Sequence, residues 1–230
     1  NGYDCFGYDA LGFNKEGFRI YIEYESLEGE HSLEYASFGR IKRRKKNGYP
    51  VKSVKEMIGD FRAVLFYPDH LGLVKDSPEE RRSFLNIAIG QCYPVYIDLY
   101  ARYKLSLENR NCLLKFASKG MYVDENELIS WSYYMAQYAS YIYVMRREYI
   151  KKLEKYAKII MRDISDGKEE LSLIYKSDIK EDIDKPEDIT LAYRKIFTEQ
   201  IDREIIVGSS LFGPHRDDID ILINGKSARH

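Results

Sequence analysis

Hydrophobic and polar residues alternate along the first third of the chain with the two-residue period of a β-strand. The sequence FRIYIEYE at residues 18–25 shows this alternation clearly, and HSLEYASF at residues 31–38 repeats it more weakly. Asn47-Gly48 is a strong signal for a hairpin turn, because both residues tolerate a positive φ angle. The compact apolar stretch RAVLFYP at residues 62–68 ends at a proline and is typical of a further strand.

From residue 77 onward the pattern changes to the three- and four-residue spacing of amphipathic helices. The tetrapeptide SPEE at residues 77–80 combines a helix cap, a first-turn proline and an acidic residue three positions after the cap. Pro94 predicts a break, after which the helical spacing continues until Gly120. The same capping chemistry predicts a short helix earlier, at residues 53–58.

The longest periodic stretch extends from about Glu127 to Ser165, and as a helix it would be roughly 57 Å long. Because only a short polar loop separates it from the preceding helix, the two are predicted to form an antiparallel hairpin. The large side chains on its apolar face are interpreted as the core of this hairpin rather than as a surface for stacking bases. They are Leu128, Trp131, Met135, Tyr138, Ile142, Met145, Tyr149, Leu153, Tyr156 and Ile160.

The last third of the chain mixes both periods. Residues 169–176 (EELSLIYK) and 217–224 (DDIDILIN) are predicted strands, and a helix is predicted from Pro186 to Ile205. This order predicts an α+β fold, with antiparallel strands plus a long antiparallel helical hairpin. The domain boundaries that follow are 1–67 (β-rich), 68–166 (helical arm) and 167–230 (mixed).

Charge is distributed unevenly, although the net charge of the chain is only −1. Six cationic residues fall within seven positions just before the predicted Asn-Gly turn. They would form either a hairpin that contacts nucleic-acid phosphates or a solvated strand pair whose lysines prevent edge-to-edge aggregation. The residues are Arg40, Lys42, Arg43, Arg44, Lys45 and Lys46.

The cysteines and the hydropathy exclude other classes of protein. Cys5, Cys92 and Cys112 lack the spacing of a zinc site or a disulfide framework. Unpaired cysteines are typical of a reducing cytosol, so we expect a cytoplasmic protein. No apolar run reaches the roughly 20 residues of a membrane span, and the first residues lack the basic and apolar regions of a signal peptide.

Gly225-Lys226-Ser227 looks like the end of a phosphate-binding P-loop, but the rest of that motif is missing. The pattern GxxxxGK[ST] needs a glycine at position 220, where the chain has Asp220. The preceding Asn224 instead makes Asn-Gly a hairpin signal. The sequence therefore predicts a β-turn here.

A second candidate site surrounds His215. A histidine followed by Asp217 and Asp218 could bind a divalent cation or exchange protons. Arg216 lies between them and would compete for the carboxylates, which favours a structural junction in which Arg216 pairs with an aspartate. A role at an interface or beside a nucleotide is the third interpretation. From the residues alone we assign no catalytic, cofactor-binding or metal-binding residue.

Three stretches carry motifs in a fixed order along the chain. They are VLFYPDHLGLVKDSPEERRSFLN (64–86), YIDLYARYKLSLENRNCLLK (96–115) and VGSSLFGPHRDDIDILINGKSAR (207–229). Together they resemble the RecF family of bacterial DNA replication and repair proteins, through its SPxxRRxFLD, RNxLLK and GPHRDD motifs. Asn86 stands where the first motif has aspartate, and the basic run at 40–46 matches no family motif.

The resemblance implies a relative of the head domains of SMC-type ABC ATPases. Members of the family bind ATP with Mg²⁺, bind gapped DNA, dimerise around nucleotide and help RecO and RecR to load recombinase. Their Walker A loop precedes the segment corresponding to residue 1, and their ABC signature and Walker B follow the segment corresponding to Arg229. The chain is therefore interpreted as an internal fragment that carries neither half of the ATP site and is not an enzyme by itself.

The resemblance also assigns roles to two regions. The helical hairpin would be the arm, or lobe II, and the GPHRDD segment would lie near the nucleotide-side interface, with Arg216 as the candidate for a charge contact across it. The segment consists of Gly213, Pro214, His215, Arg216, Asp217 and Asp218. Two other hypotheses are an independent DNA-binding module that uses the basic hairpin, and a protein-interaction arm for RecR or a second copy.

Overall fold

The computed structural model describes residues 13–14, 17–64, 72–75, 77–180 and 183–229. It combines antiparallel sheets with long helices, so the predicted α+β class is confirmed. The chain divides into two compact units, Asn1–Ala63 and Val64–His230. The predicted three-part organisation, with boundaries after residues 67 and 166, stays a prediction.

The first unit contains a five-stranded antiparallel sheet in the order β1-β2-β3-β4-β5. Its strands are β1 (Phe13–Asn14), β2 (Gly17–Ser26), β3 (Gly29–Phe38), β4 (Ile41–Lys46) and β5 (Tyr49–Pro50). The register places Ile20 opposite Tyr35, so the alternating apolar side chains of neighbouring strands share a face. Asn47 and Gly48 have φ angles of 51° and 79°, as the hairpin turn requires, and the predicted turn is confirmed.

Two shorter predictions fall between residues 53 and 68. Glu56 accepts a hydrogen bond of 3.0 Å from the Ser53 N–H, as predicted. The element is nevertheless only a 3-10 turn at Val54–Glu56 rather than a helix through residue 58. Gly59 follows with a φ of 92°, which no helix can adopt. Of the predicted strand at 62–68, residues 62–64 are in no strand, and residues 65–68 lie outside the described residues.

The second unit begins with helices α1 (Gly72–Lys75), α2 (Pro78–Cys92), α3 (Val95–Ala117) and α4 (Glu125–Ile164). Helices α3 and α4 are antiparallel, because Tyr96 at the start of α3 meets Arg146, just past the middle of α4. Arg110, late in α3, meets Ser132 near the start of α4. The predicted helical hairpin is therefore confirmed.

Helix α4 has 40 residues and α3 has 23, and this difference decides which apolar side chains of α4 are buried. Leu128, Met135 and Ile142 lie in the core, as predicted. The prediction of core positions is wrong for Tyr156 and Ile160, which are 64% and 59% exposed. Helix α3 no longer runs beside this part of α4, so the described elements cover only one side of α4 there.

The remaining elements of the second unit follow α4 in the chain and fold back toward it. They are β6 (Leu171–Lys176), α5 (Pro186–Glu199), α6 (Ile201–Val207), β7 (Asp218–Ile223) and β8 (Lys226–Ser227). The strands form an antiparallel sheet in the order β6-β7-β8. Tyr193 and Phe197 of α5 share one apolar core with Ile142 of α4. The single helix predicted from Pro186 to Ile205 is two helices, because the backbone leaves helical geometry at Gln200 (φ −102°, ψ 6°).

The predicted turn at Gly225-Lys226-Ser227 is confirmed. Asn224 and Gly225 have φ angles of 49° and 74°, and Ile223 pairs with Lys226 across the turn. This is a β-hairpin between β7 and β8, not the strand-to-helix loop that holds phosphate in P-loop proteins.

Within the described residues, no helix combines the length and the apolar character that crossing a bilayer needs.

Candidate functional site

The segment Gly213–Asp218 forms the loop that leads from α6 into β7. Its side chains are buried or half-buried except that of Arg216, which is exposed. Gly213 has a φ of 120°, and a β-carbon there would lie 2.7 Å from the Tyr103 hydroxyl. Its N–H donates a hydrogen bond of 2.5 Å to Asp178. Any larger residue would strain the backbone and displace Tyr103, so the loop needs glycine here.

Arg146 of α4 is fully buried and binds this loop through its guanidinium group. Its Nη1 donates to the Pro214 carbonyl at 2.6 Å and to the Asp217 carboxylate at 3.2 Å. Its Nε donates to the Tyr96 hydroxyl at 3.1 Å, and its Nη2 donates to Asn86 Oδ1 at 2.9 Å. One side chain thereby joins α2, α3 and α4 to the loop.

The Asp217 carboxylate is only 1% exposed and lies opposite Arg146. The Tyr175 hydroxyl donates a further hydrogen bond to the same carboxylate oxygen. Burial raises the pKa of Asp217 to about 6, against the opposing effects of Arg146 and Tyr175. The carboxyl group is therefore ionised at neutral pH, beside a guanidinium that is permanently charged.

Asn86, where the RecF motif has aspartate, acts as a neutral acceptor. Its Oδ1 accepts hydrogen bonds from the Tyr96 hydroxyl at 2.6 Å and from Arg146 at 2.9 Å. The asparagine keeps the acceptor that Arg146 needs and adds no second negative charge. Among the described residues, Asp217 is the carboxylate that balances Arg146.

Asp218 pairs with two arginines from distant parts of the chain. Arg81, which is buried, donates to both carboxylate oxygens, from Nε at 2.6 Å and from Nη2 at 3.2 Å. Arg229 donates at 2.7 Å. Burial would raise the pKa of Asp218, but the hydrogen bonds from Arg81 and Arg229 hold it below its usual value. The SPxxRR motif and the GPHRDD motif are thus joined by a bidentate ion pair.

A third buried ion pair fixes the residues just before the loop. Arg110 of α3 and Glu204 of α6 are both fully buried, with 2.6 Å between Nη2 and Oε2. Arg110 also donates to the Ser210 hydroxyl at 2.7 Å, and Glu204 accepts from the Leu211 N–H at 2.7 Å. Asn111 accepts from the Ser210 N–H at 2.7 Å. The arginine and asparagine of the RNxLLK motif therefore fix the residues that lead into the GPHRDD segment.

His215 is held in the neutral form. The Tyr103 hydroxyl donates to its Nδ1 at 2.6 Å, and its Nε2 donates to the Ser210 carbonyl at 3.1 Å. This pattern requires the single proton of the imidazole to be on Nε2. Burial lowers the pKa of His215 to about 4. In the described part of the chain, no group of three or more His, Cys, Asp or Glu side chains is placed to bind a metal ion.

The expectation that Arg216 pairs with one of the aspartates is wrong. Both carboxylates are occupied by arginines that reach them from other elements, Arg146 for Asp217 and Arg81 for Asp218. Among the described residues, the guanidinium group of Arg216 donates a hydrogen bond to the Ser210 carbonyl, at 3.5 Å, and forms no ion pair. Its exposed position fits the predicted role at an interface, which stays a prediction.

In the first unit, β4 carries five of the six predicted basic residues. Side chains alternate between the two faces of a sheet, so the run is divided. The guanidinium carbon of Arg44 lies 5.9 Å from the Tyr35 ring centroid, and that of Arg43 lies 5.9 Å from the Phe38 ring centroid on the other face.

Some of these cations have local partners. Lys45 pairs with Glu34 at 3.6 Å, and Lys46 pairs with Asp60 at 2.8 Å. The members that the structure leaves exposed are Arg40, Lys42 and Arg43. A phosphate-binding surface here would therefore use about half of the six charges.

Sequence periodicity does not identify the three buried arginines as site residues. Two of them nevertheless occupy positions where the helical repeat predicts an apolar residue. Arg110 falls on the apolar repeat of α3, and Arg146 follows Ile142 by one helical turn. A cation at such a position needs a buried carboxylate. The sequence does not show which carboxylate this is, because the partners lie 71 and 94 positions away.

We predict that Arg146→Met destabilises the protein by about 3–5 kcal/mol, because it leaves the Asp217 charge buried without its partner. Adding Asp217→Asn should recover part of this loss, since the unpaired charge is then removed. Urea unfolding followed by circular dichroism at neutral pH measures both. Arg162→Met, an exposed position on the same helix, is the control and should cost less than about 0.5 kcal/mol. Equal effects of the Arg146 and Arg162 substitutions would contradict the network.

We also predict a pH effect from His215. The unfolded chain binds a proton near pH 6.5, whereas the buried imidazole binds one only near pH 4. The unfolded state is therefore favoured as the pH falls from about 6.5 to 4, by up to about 3 kcal/mol. His215→Gln should remove this part of the pH dependence. Parallel curves of unfolding free energy against pH for the two proteins would show that His215 titrates normally.

No protein-family model matches the chain. It is 32% identical over 218 residues, 94% of its length, to the DNA replication and repair protein RecF of Shouchella clausii (strain KSM-K16). It is 34% identical over 224 residues to the RecF of Staphylococcus aureus (strain JH9). The chain spans 59% and 60% of the lengths of these relatives.

Two solved structures share the fold. Both are of the recombination mediator protein RecF in the RecFOR pathway, one described as RecF-ATP and the other as RecF-ATPrS. Each has a TM-score of 0.86, covers 94% of this chain and is covered over 58% of its own length, at 29% and 28% identity respectively. In sequence and in fold, over 94% of its length, the chain is similar to the DNA replication and repair protein RecF.

Proposed function

We propose that this chain is the arm-bearing middle part of a RecF-type DNA repair ATPase, which binds DNA and ATP when intact and helps to load recombinase at single-strand gaps. The observation that carries the proposal is the likeness to the RecF-ATP structure, with a TM-score of 0.86 over 94% of the chain. The RecFOR pathway named for that relative supports RecR and RecO as partners. The proposed compartment is the cytoplasm.

The 230-residue chain is proposed to have no ATPase activity of its own. Its Gly-Lys-Ser sequence lies in a β-hairpin turn, where the backbone N–H groups do not wrap a phosphate. In this proposal, ATP and Mg²⁺ bind to Walker A, Walker B and signature residues elsewhere in the parent protein. The residues described above support that site indirectly, by fixing the GPHRDD loop.

Arg216 is proposed to contact a second copy of the protein in the nucleotide-dependent dimer. Three properties support this role. Its side chain is exposed, it has no ion pair among the described residues, and its backbone is held by a hydrogen bond of 2.8 Å from its N–H to the Gly213 carbonyl. An exposed guanidinium on a rigid loop is well suited to bind an anionic group across an interface.

DNA binding is proposed to involve the exposed cations at the start of β4. Arg40, Lys42 and Arg43 lie in or just after the β3–β4 turn and are exposed, with Lys42 and Arg43 on opposite faces of the sheet. They present flexible cations and no base-reading element, so binding through them would be independent of DNA sequence.

A second candidate function is favoured by the free end of the helical hairpin. Met121 and Tyr122 in the α3–α4 loop are 54% and 92% exposed, and Tyr134 of α4 is 46% exposed. Exposed aromatic side chains are enriched in protein–protein interfaces. This end of the arm is therefore the proposed contact for RecR or for a second copy.

We predict that the triple substitution R40Q/K42Q/R43Q weakens binding to gapped duplex DNA equally for unrelated sequences. The slope of log K against log salt should become shallower by about 3, since up to three phosphate contacts are lost. Fluorescence anisotropy of labelled DNA over a range of salt concentrations measures this. R102Q/K104Q/K115Q removes three exposed cations of α3 and is the charge-matched control. If the two variants bind alike, β4 is not a DNA-binding surface.

We predict that Arg216→Ala in the full-length protein abolishes ATP-dependent dimerisation and leaves the Tm unchanged, because the side chain is exposed. Sedimentation velocity with a non-hydrolysable ATP analogue provides the measurement. Arg203→Ala, which removes an exposed arginine of α6, should dimerise normally. Normal dimerisation of the Arg216 variant would exclude the proposed contact.

A further inference from the structure

The second half of α4 extends beyond its hairpin partner. Helix α3 begins at Val95, and just before it the Tyr93 hydroxyl accepts a hydrogen bond of 3.3 Å from Lys152. Helix α4 continues from there to Ile164. At 1.5 Å per residue, about 18 Å of α4 therefore has no α3 beside it.

One side of this extension is covered by β6. Leu153, Ala157 and Met161 are half-buried and lie along one helical face. Glu154 accepts a hydrogen bond of 3.2 Å from the Leu173 N–H of β6 and pairs with Lys158 at 3.1 Å. The inner face of α4 thus packs against β6, and the Glu154 carboxylate contributes a hydrogen bond to this contact.

The outer side carries a row of cations. They follow one another at spacings of four, three and four residues, so they share one face of the helix. Their separations along the helix axis are about 6, 4.5 and 6 Å. Three of the four are exposed and Lys158 is half-buried, and the row is Lys151, Lys155, Lys158 and Arg162. We call this row the α4 cationic surface.

The charge of this segment contrasts with that of the whole chain. Residues 151–162 contain five cations and one carboxylate, a net charge of +4, whereas the chain has a net charge of −1. Lys151 pairs with Glu148 at 3.4 Å at the edge of the row. In the described structure, Lys155 and Arg162 make no ion pair. The row is therefore a local excess of positive charge on a protein that is otherwise slightly acidic.

The arrangement of the charges indicates the class of ligand. A single small anion would be bound by cations that converge on one point, whereas these lie in a line about 17 Å long on one helix face. A line of cations matches a linear polyanion, and duplex DNA carries phosphates at regular intervals along each strand. A membrane surface is the competing ligand, because Tyr156, Ile159 and Ile160 of the same segment are also exposed, and the test below therefore includes lipid vesicles.

We propose that the α4 cationic surface binds the phosphodiester backbone of duplex DNA. The inference rests on the DNA-binding function proposed above and adds to it a second surface, separate in sequence from β4. Three lysines and one arginine contact phosphates as flexible point charges, so this surface positions the duplex and does not read its sequence.

The test is a triple substitution, K155Q/K158Q/R162Q, in the 230-residue chain. Glutamine keeps the helix, because its helix propensity is close to that of lysine and arginine; circular dichroism and the Tm verify this. Anisotropy with a labelled duplex over a range of salt concentrations should show a log–log slope shallower by about 3. Two unrelated duplex sequences should lose affinity equally. R102Q/K104Q/K115Q on α3, with the same change of charge, should retain the wild-type slope.

The outcomes separate this inference from the proposed function. Suppose that wild-type protein binds DNA, that the β4 variant binds DNA more weakly, and that the α4 variant matches the α3 control. The α4 surface is then excluded, and the proposed function stands. If wild-type protein does not bind DNA even at low salt, both fail. If the α4 substitutions instead abolish sedimentation with phosphatidylserine vesicles and leave DNA binding unchanged, the surface binds membranes and the inference is overturned.

Discussion

Three arginine side chains lie in the core of the helical unit, and each depends on a carboxylate from a distant part of the chain. Arg81, Arg110 and Arg146 are at most 1% exposed. A buried guanidinium without its partner costs several kcal/mol, whereas replacing a whole pair with apolar residues is often neutral. The pairs therefore contribute less to overall stability than to the choice of one arrangement. That arrangement places α2, α3, α4 and α6 against a single loop.

This constraint explains why the three motifs lie far apart in sequence and meet in space. Arg81 of SPxxRR binds Asp218, the last residue of GPHRDD. Arg110 of RNxLLK binds Ser210, just before GPHRDD, and Arg146 binds the Pro214 carbonyl within it. The loop cannot move away from α4 without leaving Arg146 unpaired. A displacement of the arm would therefore be transmitted to the loop, and Arg216, at the loop surface, would move with both. The network gives the arm a direct mechanical connection to the proposed dimer interface.

The sequence predicts the elements well, because hydrophobic period, caps and turn residues are local signals. The hairpin of α3 and α4 and the turns at Asn47-Gly48 and Asn224-Gly225 all follow from such signals. The break at Gln200 and the exposure of Tyr156 do not, since they depend on which element is packed nearby. The pairing of the GPHRDD aspartates is a further case. The charge of the neighbouring Arg216 predicts that it pairs with these aspartates. The fold shows instead that Arg81 and Arg146 bind the two carboxylates.

Secondary structure also decides what a group of cations can bind. Six basic residues fall in seven positions of the sequence, but the five on β4 alternate between two faces, and Lys45 and Lys46 have acidic partners. The basic residues at 151–162 are spread among apolar ones and form no run, but the period of the helix brings four of them onto one face. A contiguous basic run on a strand is thus divided between the two faces of the sheet. Basic residues spaced by three and four positions on a helix instead lie on one face. Cationic surfaces are therefore better compared after the secondary structure is known than by counting charges along the chain.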